Sequence, residues 1–139
     1  MKTTKPTLLV VDDDTAVLEI SNALLQNLGF TVISTSDPLE ALSLLQNNPE
    51  IDGLVSDYRM PVMNGEELAQ AARTLRSKLP IFILSGSYPP ERVSAPWDGW
   101  ILKGSPVRDL FARLDDALMC RLGGIGSESE SRERERNAS

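Results

Sequence analysis

The sequence predicts an open parallel α/β sheet of five strands with helices on both faces, contained in one domain. Short apolar runs of strand length alternate with longer segments whose apolar residues recur at helical spacing. Strands joined through helices run parallel, and a parallel sheet is covered on both faces. At 139 residues the chain is long enough for one core and short for two.

Each element has its own signal. After a short N-terminal extension over 1–6, the first strand is Thr7–Val11, all apolar after its threonine. Val17, Ile20, Leu24 and Leu28 form an apolar stripe on the first helix, which Gly29 stops. The second strand is Thr31–Ser34. Asp37 caps the next helix, Pro38 occupies its first turn, and Glu40 stands where a capping box places an acid. Gly53–Ser56 is the third strand. Asn64 and Glu67 open the third helix in the same manner, with Leu68, Ala72 and Leu75 expected to face inward. Ile81–Ser85 and Gly99–Leu102 are the fourth and fifth strands. The stretch between them, "SGSYPPERVSAPWDGW", carries Pro89, Pro90 and Pro96, so its helix is expected to be short, about two turns. Ser105 and Pro106 open the last helix, carried by Val107, Leu110, Phe111, Leu114 and Leu118. The globular part thus spans 7–122. The remainder, "GGIGSESESRERERNAS" over 123–139, has almost nothing to bury and reads as a disordered tail.

Composition removes several function classes. With 41% hydrophobic and 24% charged residues this is an ordinary soluble composition. No apolar stretch is long enough to span a bilayer and Met1–Lys5 leads into no signal-peptide core, so a cytoplasmic location is expected. A net charge of -6 argues against nucleic-acid and membrane partners. Cys120 is the single cysteine, which excludes an internal disulfide framework and a cysteine-rich zinc site. The chain has no histidine, so a histidine base, a histidine metal ligand and a phosphohistidine of its own are all excluded.

Chemistry gathers at the strand ends. "LLVVDDDTA" puts Asp12, Asp13 and Asp14 directly after the first strand with no base among them. Adjacent like charges raise one another's pKa, so such a triplet calls for a positive counterpart. Asp57 follows the third strand in "GLVSDYRMPVMNG", Ser85 ends the fourth in "IFILSG", and Lys103 follows the fifth in "GWILKG". In open parallel sheets, ligands bind beyond the carboxyl ends of the strands. Oxygen donors without histidine or cysteine suit a hard cation, and Mg2+ takes one or two carboxylates with waters and a phosphate. Asp14 has a competing role as cap or first-turn acid of the first helix.

From Thr7 to Leu122 the chain resembles response-regulator receiver domains of the CheY-like superfamily. The resemblance is carried by the acidic pair Asp12–Asp13, by "D-x-x-M-P-x-M-x-G" from Asp57 to Gly65, by Ser85 with Gly86, and by Lys103. It implies the flavodoxin-like (βα)5 arrangement and its strand order. It also implies that Asp57 accepts a phosphoryl group, with Asp13 as direct metal ligand and Asp12 holding the metal's waters. Asp57 and the Arg59 carbonyl would complete the protein's share of the Mg2+ site. Ser85 would donate to a phosphoryl oxygen, Lys103 would pair with Asp57 or its phosphate, and Gly86 would leave room beside it. Trp100 occupies the family's aromatic switch position, acting with Ser85.

The implied function is a stand-alone receiver. It would take phosphate from a phosphohistidine on a histidine kinase or phosphotransfer protein, lose it by hydrolysis, and signal to an unknown downstream protein through contacts rather than turn over a substrate. The chain departs from the family in two places. The proline that usually follows the lysine is delayed to Pro106, and the interval from Ser85 to Lys103 is short. Arg59 is read two ways, as a guanidinium leaning over the acids to pair with Asp13 or Asp57, or as a solvated side chain. Two alternatives stand beside the receiver reading. One is a pseudo-receiver that binds partners without phosphorylation. The other rests on "VVDDDT", which also resembles the opening of haloacid-dehalogenase-type phosphatases, with Asp12 as nucleophile and Asp14 as general acid. Against it, the threonine comes one place early, no acidic pair follows the lysine, and Asp57 is left without a role.

Overall fold

The computed structural model describes residues 6–91, 95–105, 109 and 112–118. The expected tail over 123–139, the extension before Pro6, and the apolar anchors Val107, Leu110 and Phe111 lie outside these residues.

The elements run β1 (Thr7–Val11), α1 (Thr15–Asn27), β2 (Thr31–Thr35), α2 (Pro38–Asn47), β3 (Gly53–Asp57), α3 (Gly65–Leu75), β4 (Ile81–Ser85) and β5 (Gly99–Leu102). Asp109 and residues 112–118 are helical, and 112–118 is α4 here. The strands form one parallel sheet in the order β2-β1-β3-β4-β5. β2 and β3 each run one residue beyond the sequence expectation, so Asp57 is itself the last residue of its strand, paired in register with Leu84.

Side chains of a strand alternate between faces, and here both faces are apolar. Leu9, Val11, Leu54 and Ile81 pack with Ala41 and Leu45 of α2 and Leu68, Ala69 and Ala72 of α3. Leu8, Val10, Val55, Phe82 and Ile101 pack on the other side with Leu18 and Leu25 of α1 and Leu114 and Leu118 of α4. Full burial of such a side chain contributes about 1.5–3 kcal/mol, so these two layers hold the sheet and leave its carboxyl rim to polar groups.

The helix ends follow local chemistry. Gly29, at φ +105°, closes α1 by donating to the Gln26 carbonyl, in a conformation that costs other residues strain. Asn64 and Glu67 form a complete capping box, bonded reciprocally at 2.8 and 3.0 Å. Asp37 caps α2 through the Leu39 N–H, but Glu40 does not complete a box. Its carboxylate accepts from the Thr35 hydroxyl, and Thr35 Oγ1 takes the Asp37 N–H in its place.

Three expectations need correction. Ile20 is 68% exposed and Leu75 41% exposed, so neither faces the core. Leu24 and Leu28 of the expected stripe do pack, partly buried, against the core, but the most deeply buried line of α1 is Leu18, Ser21 and Leu25, one position over. In the crossover from β4 to β5, the described residues 86–91 and 95–98 contain no helix, where a short one was expected. Pro89 and Pro90 remove amide donors there, and a different device holds the far end. Trp97 packs against the α2–α3 core layer. Arg73 of α3 donates from Nη1 to the carbonyls of Leu79 (2.6 Å) and Ser77 (3.1 Å), and from Nη2 to Pro96 O (2.8 Å) and Asp98 Oδ2 (3.1 Å). Asp98 Oδ2 also accepts from the Ile81 N–H at 2.7 Å, which anchors the crossover to the start of β4.

Candidate phosphoryl and metal site

Adjacent strand ends bring the expected residues together. β1 lies between β2 and β3, so the connection from β1 to β2 runs one way across the sheet and the later ones run the other, and such a switch point in the strand order is where ligands bind in open α/β sheets. Asp12 follows β1, Asp57 ends β3, Ser85 ends β4 and Lys103 follows β5. The Lys103 N–H donates to the Ser85 carbonyl at 2.7 Å, carrying the ladder one step past β5 and fixing those two residues side by side.

The Lys103 ammonium lies 3.1 Å from Asp57 Oδ1 and 3.6 Å from Asp12 Oδ2. Oxygens of Asp12, Asp13 and Asp57 all lie within 4.8 Å of one another. Asp12 is buried, Asp57 half-buried and Asp13 exposed, so the cluster opens outward on the Asp13 side. Asp14 points elsewhere. Its Oδ1 accepts from the amides of Ala16 (3.0 Å) and Val17 (3.3 Å), so it is the N-cap of α1 and not part of the cluster.

Burial raises the pKa of Asp12 above the usual carboxylate value, and the charges of Asp57 and Asp13 push the same way. The Asp14 N–H, donating to Asp12 Oδ1 at 3.0 Å, and the Lys103 charge oppose this without cancelling it. For Lys103, burial acts downward, but the hydrogen bond and charge of Asp57, followed by those of Asp12, hold the ammonium above its ordinary value. Its side chain is 35% exposed, so solvent screens part of its pull on the acids.

Arg59 gives no help. Its side chain is exposed and forms no ion pair with Asp13 or Asp57, so the reading that placed its guanidinium over the acids is overturned in favour of the solvated one. Lys103 occupies that role at the acids instead. Among the described residues, three carboxylates therefore face one ammonium. Two excess negative charges with only oxygen donors fit a hard divalent cation, and the residues present suit Mg2+.

Ser85 is buried, and its Oγ accepts from the Ser87 N–H at 3.2 Å. A Cβ on Gly86 would meet nothing within 4 Å, so open space remains beside it. Trp100 stacks obliquely on Tyr58 (centroids 5.2 Å apart) and Trp97 (5.1 Å), and its indole Nε1 donates to the Ser87 carbonyl at 2.8 Å. Sequence reasoning found Trp100 but missed Tyr58, Trp97 and Ser87 as its neighbours. The W-x-x-W spacing of Trp97 and Trp100 and the tyrosine directly after Asp57 were the available signals.

Comparison with known proteins agrees with this geometry. Residues 8–115 match the model of the response regulator receiver domain. The chain is 36% identical over 131 residues to the transcriptional regulatory protein PrrA of Mycobacterium tuberculosis, covering 91% of this chain and 55% of PrrA. It thus spans about half the length of that relative. Among solved structures, the chemotaxis protein CheY4 of Vibrio cholerae superposes with TM-score 0.71 at 30% identity, over 81% of this chain and 98% of that one. The CheY-like receiver domain protein of Methanospirillum hungatei gives 0.75 at 27% identity, over 91% and 98%. With acids, hydroxyl and ammonium gathered on the rim of a 2-1-3-4-5 sheet, the chain belongs to the response regulator receiver domain family.

Proposed function

We propose that this receiver accepts a phosphoryl group on Asp57 from a phosphohistidine of a partner histidine kinase or phosphotransfer protein. The observation that carries the reading is the placement of the Asp57 carboxylate. It ends β3 at the rim, 3.1 Å from the Lys103 ammonium and within 4.8 Å of the Asp12 and Asp13 oxygens. The donor must supply the histidine, since this chain has none.

An Asp57 oxygen attacks phosphorus, the P–N bond of the donor breaks, and the leaving nitrogen takes the electron pair, so that a ring already protonated on its other nitrogen departs as neutral imidazole. Positioning and charge neutralisation supply most of the catalysis in phosphoryl transfer. Lys103 neutralises the phosphoryl oxygens, and the Ser85 O–H donates to one of them. Asp13 and Asp57, with the Arg59 carbonyl, would hold Mg2+ directly, while Asp12 orders its waters. When bound, the ion supplies Lewis-acid neutralisation of the transferring group. Hydrolysis returns the carboxylate and releases inorganic phosphate. The output is a change of protein contacts, without nucleic-acid or membrane binding, and the location is cytoplasmic. Among the described residues, no helix is long and apolar enough to cross a membrane.

The dehalogenase-like alternative needs Asp14 as general acid, and Asp14 is engaged as the cap of α1. Intact-mass measurement with acetyl phosphate and magnesium tests the proposal. Gain of one phosphoryl group by the full chain, absent in Asp57→Asn, is the expected result. No gain under any magnesium concentration would leave the pseudo-receiver reading in its place.

A further inference from the structure

Lys103 is pinned through its backbone on both sides. Before it, its own N–H donates to the Ser85 carbonyl at 2.7 Å. After it, the Ser105 N–H (3.1 Å) and the Ser105 hydroxyl (2.7 Å) both donate to the Leu102 carbonyl. Leu102 to Ser105 is therefore a closed β-turn with Lys103 and Gly104 at its centre. Gly104 has φ +92°, while Lys103, like every other non-glycine among the described residues, has no positive φ. A positive φ at the second central position alone is the pattern of a type II turn, which calls for glycine there. Gly104 stands where the receiver family usually has proline, which is delayed here to Pro106.

We infer that Gly104 and Ser105 are positioning residues for the Lys103 ammonium. The left-handed glycine lets the turn close, Ser105 doubles its closure, and the closed turn aims the lysine at the acids. The inference rests on the phosphoryl-acceptor reading, in which that ammonium neutralises the transferring group. A lysine stem is flexible, so the place of its ammonium is specified only when its Cα is held. Here both flanking peptides hold it, and the stem brings the ammonium to 3.1 Å from Asp57 Oδ1 and 3.6 Å from Asp12 Oδ2. An L-residue at position 104 is driven out of the left-handed region, which opens the closure between 102 and 105 and turns the Lys103 Cα with it. Crowding plays no part, since a Cβ on Gly104 would meet nothing within 4 Å among the described residues. Gly29 supplies the comparison. It has φ +105° and equally open space, but it precedes β2, at the opposite end of the sheet from the rim.

The metal-free full chain gives a test independent of phosphorylation. Followed by nitrogen-edited NMR, the protons of the Lys103 ammonium should exchange with water about two- to tenfold faster in Gly104→Ala, the effect of losing one net hydrogen bond. Gly29→Ala, strained in the same way, should leave that exchange unchanged. D-alanine at position 104, introduced by peptide ligation, favours positive φ and should restore the wild-type rate. An unchanged rate in Gly104→Ala, an equal rise in Gly29→Ala, or no restoration by D-alanine overturns the inference. Should Gly104→Ala fail to fold, the D-alanine chain and Ser105→Ala decide. The first should match wild type and the second should exchange faster, and failure of either overturns the inference.

The second measurement is the rate of phosphorylation by acetyl phosphate with magnesium, read by intact mass. Gly104→Ala should slow it about tenfold in the presence of Lys103 and leave it unchanged in a Lys103→Ala background, as for two changes that act through one contact. Equal slowing in both backgrounds would mean that the turn acts on something other than the lysine, and the inference falls. A wild-type chain that gains no phosphoryl group refutes the acceptor reading instead, and the exchange result then judges the turn by itself.

Discussion

Gly65 lies directly against the backbone of Asp57. A Cβ at position 65 would come within 2.5 Å of the Asp57 carbonyl oxygen and 2.9 Å of Tyr58 Cα, and the Gly65 N–H already donates to the Tyr58 carbonyl at 2.7 Å. The start of α3 is thus folded back onto the end of β3, and the absence of a side chain sets how closely.

Gly65→Ala should therefore displace the Asp57 backbone. A destabilisation of about 1–3 kcal/mol is expected, as for overpacking of a tight contact, together with slower phosphorylation. Denaturant titration measures the first and intact mass against time the second. Gly86→Ala is the control, because a Cβ there meets nothing within 4 Å, and its stability should stay within about 0.5 kcal/mol of wild type.

Asp12 carries a cost to folding at neutral pH. Its folded-state pKa is raised, by burial first and then by the neighbouring acids, so its carboxyl favours folding below the ordinary carboxylate range. That contribution is lost as pH rises through the raised value, and at neutral pH the charge opposes folding. Asp12→Asn should raise the melting temperature of metal-free protein by a few degrees at neutral pH. The gain should shrink as pH falls, because Asp12 itself then takes up a proton. Magnesium affinity should drop about 10–100-fold in the same variant, the usual loss when a group ordering a metal's waters is removed.

The acidic triplet divides by role. Asp14 caps α1 through two amides, whereas Asp13 lies in the carboxylate cluster. Asp14→Ala should lower stability by about 1 kcal/mol with magnesium affinity unchanged. Asp13→Ala should do the reverse, weakening magnesium binding without lowering stability. Thermal melts and a magnesium titration followed by tryptophan fluorescence separate the two, and parallel losses in both variants would contradict the division.

Arg73 and Asp98 meet at 3.1 Å across the end of the crossover from β4 to β5. Arg73→Ala removes charged hydrogen bonds to three carbonyls and one carboxylate, and should cost about 1.5–3 kcal/mol. Arg73→Lys should fail to restore it, since an ammonium cannot reproduce the planar fork. Hydrogen exchange should accelerate at the Asp98 and Ile81 amides in both variants while α1 stays protected.

The parts of the fold that depend on short-range pattern were legible in the sequence. Leu8 to Val11 are apolar without interruption because alternate residues feed opposite core layers. Asp12, Asp57, Ser85 and Lys103 converge because a parallel sheet carries all its carboxyl ends to one rim. What escaped were choices between near-equal local options and contacts made far along the chain. On α1 the line through Val17, Leu24 and Leu28 adjoins the line through Leu18 and Leu25, and spacing alone does not decide which of the two lies deeper. Glu40 was diverted by a hydroxyl on the preceding strand. Arg73 reads as an ordinary helix-surface cation until the chain returns at Pro96 and Asp98, 23 and 25 residues later. Local sequence leaves Arg59 open between the acids and solvent, because the ammonium that meets those acids, Lys103, arrives from a strand two places away in the sheet.

The central claim, that Asp57 is the residue that carries phosphate, is tested most directly by reductive trapping. After acetyl phosphate and magnesium treatment, borohydride reduces an aspartyl phosphate at its acyl carbon, phosphate departs, and homoserine remains. Peptide mass spectrometry of the full chain should find homoserine at position 57 and at no other acid. Homoserine at position 12 or 13, or its absence from every position, would contradict the account.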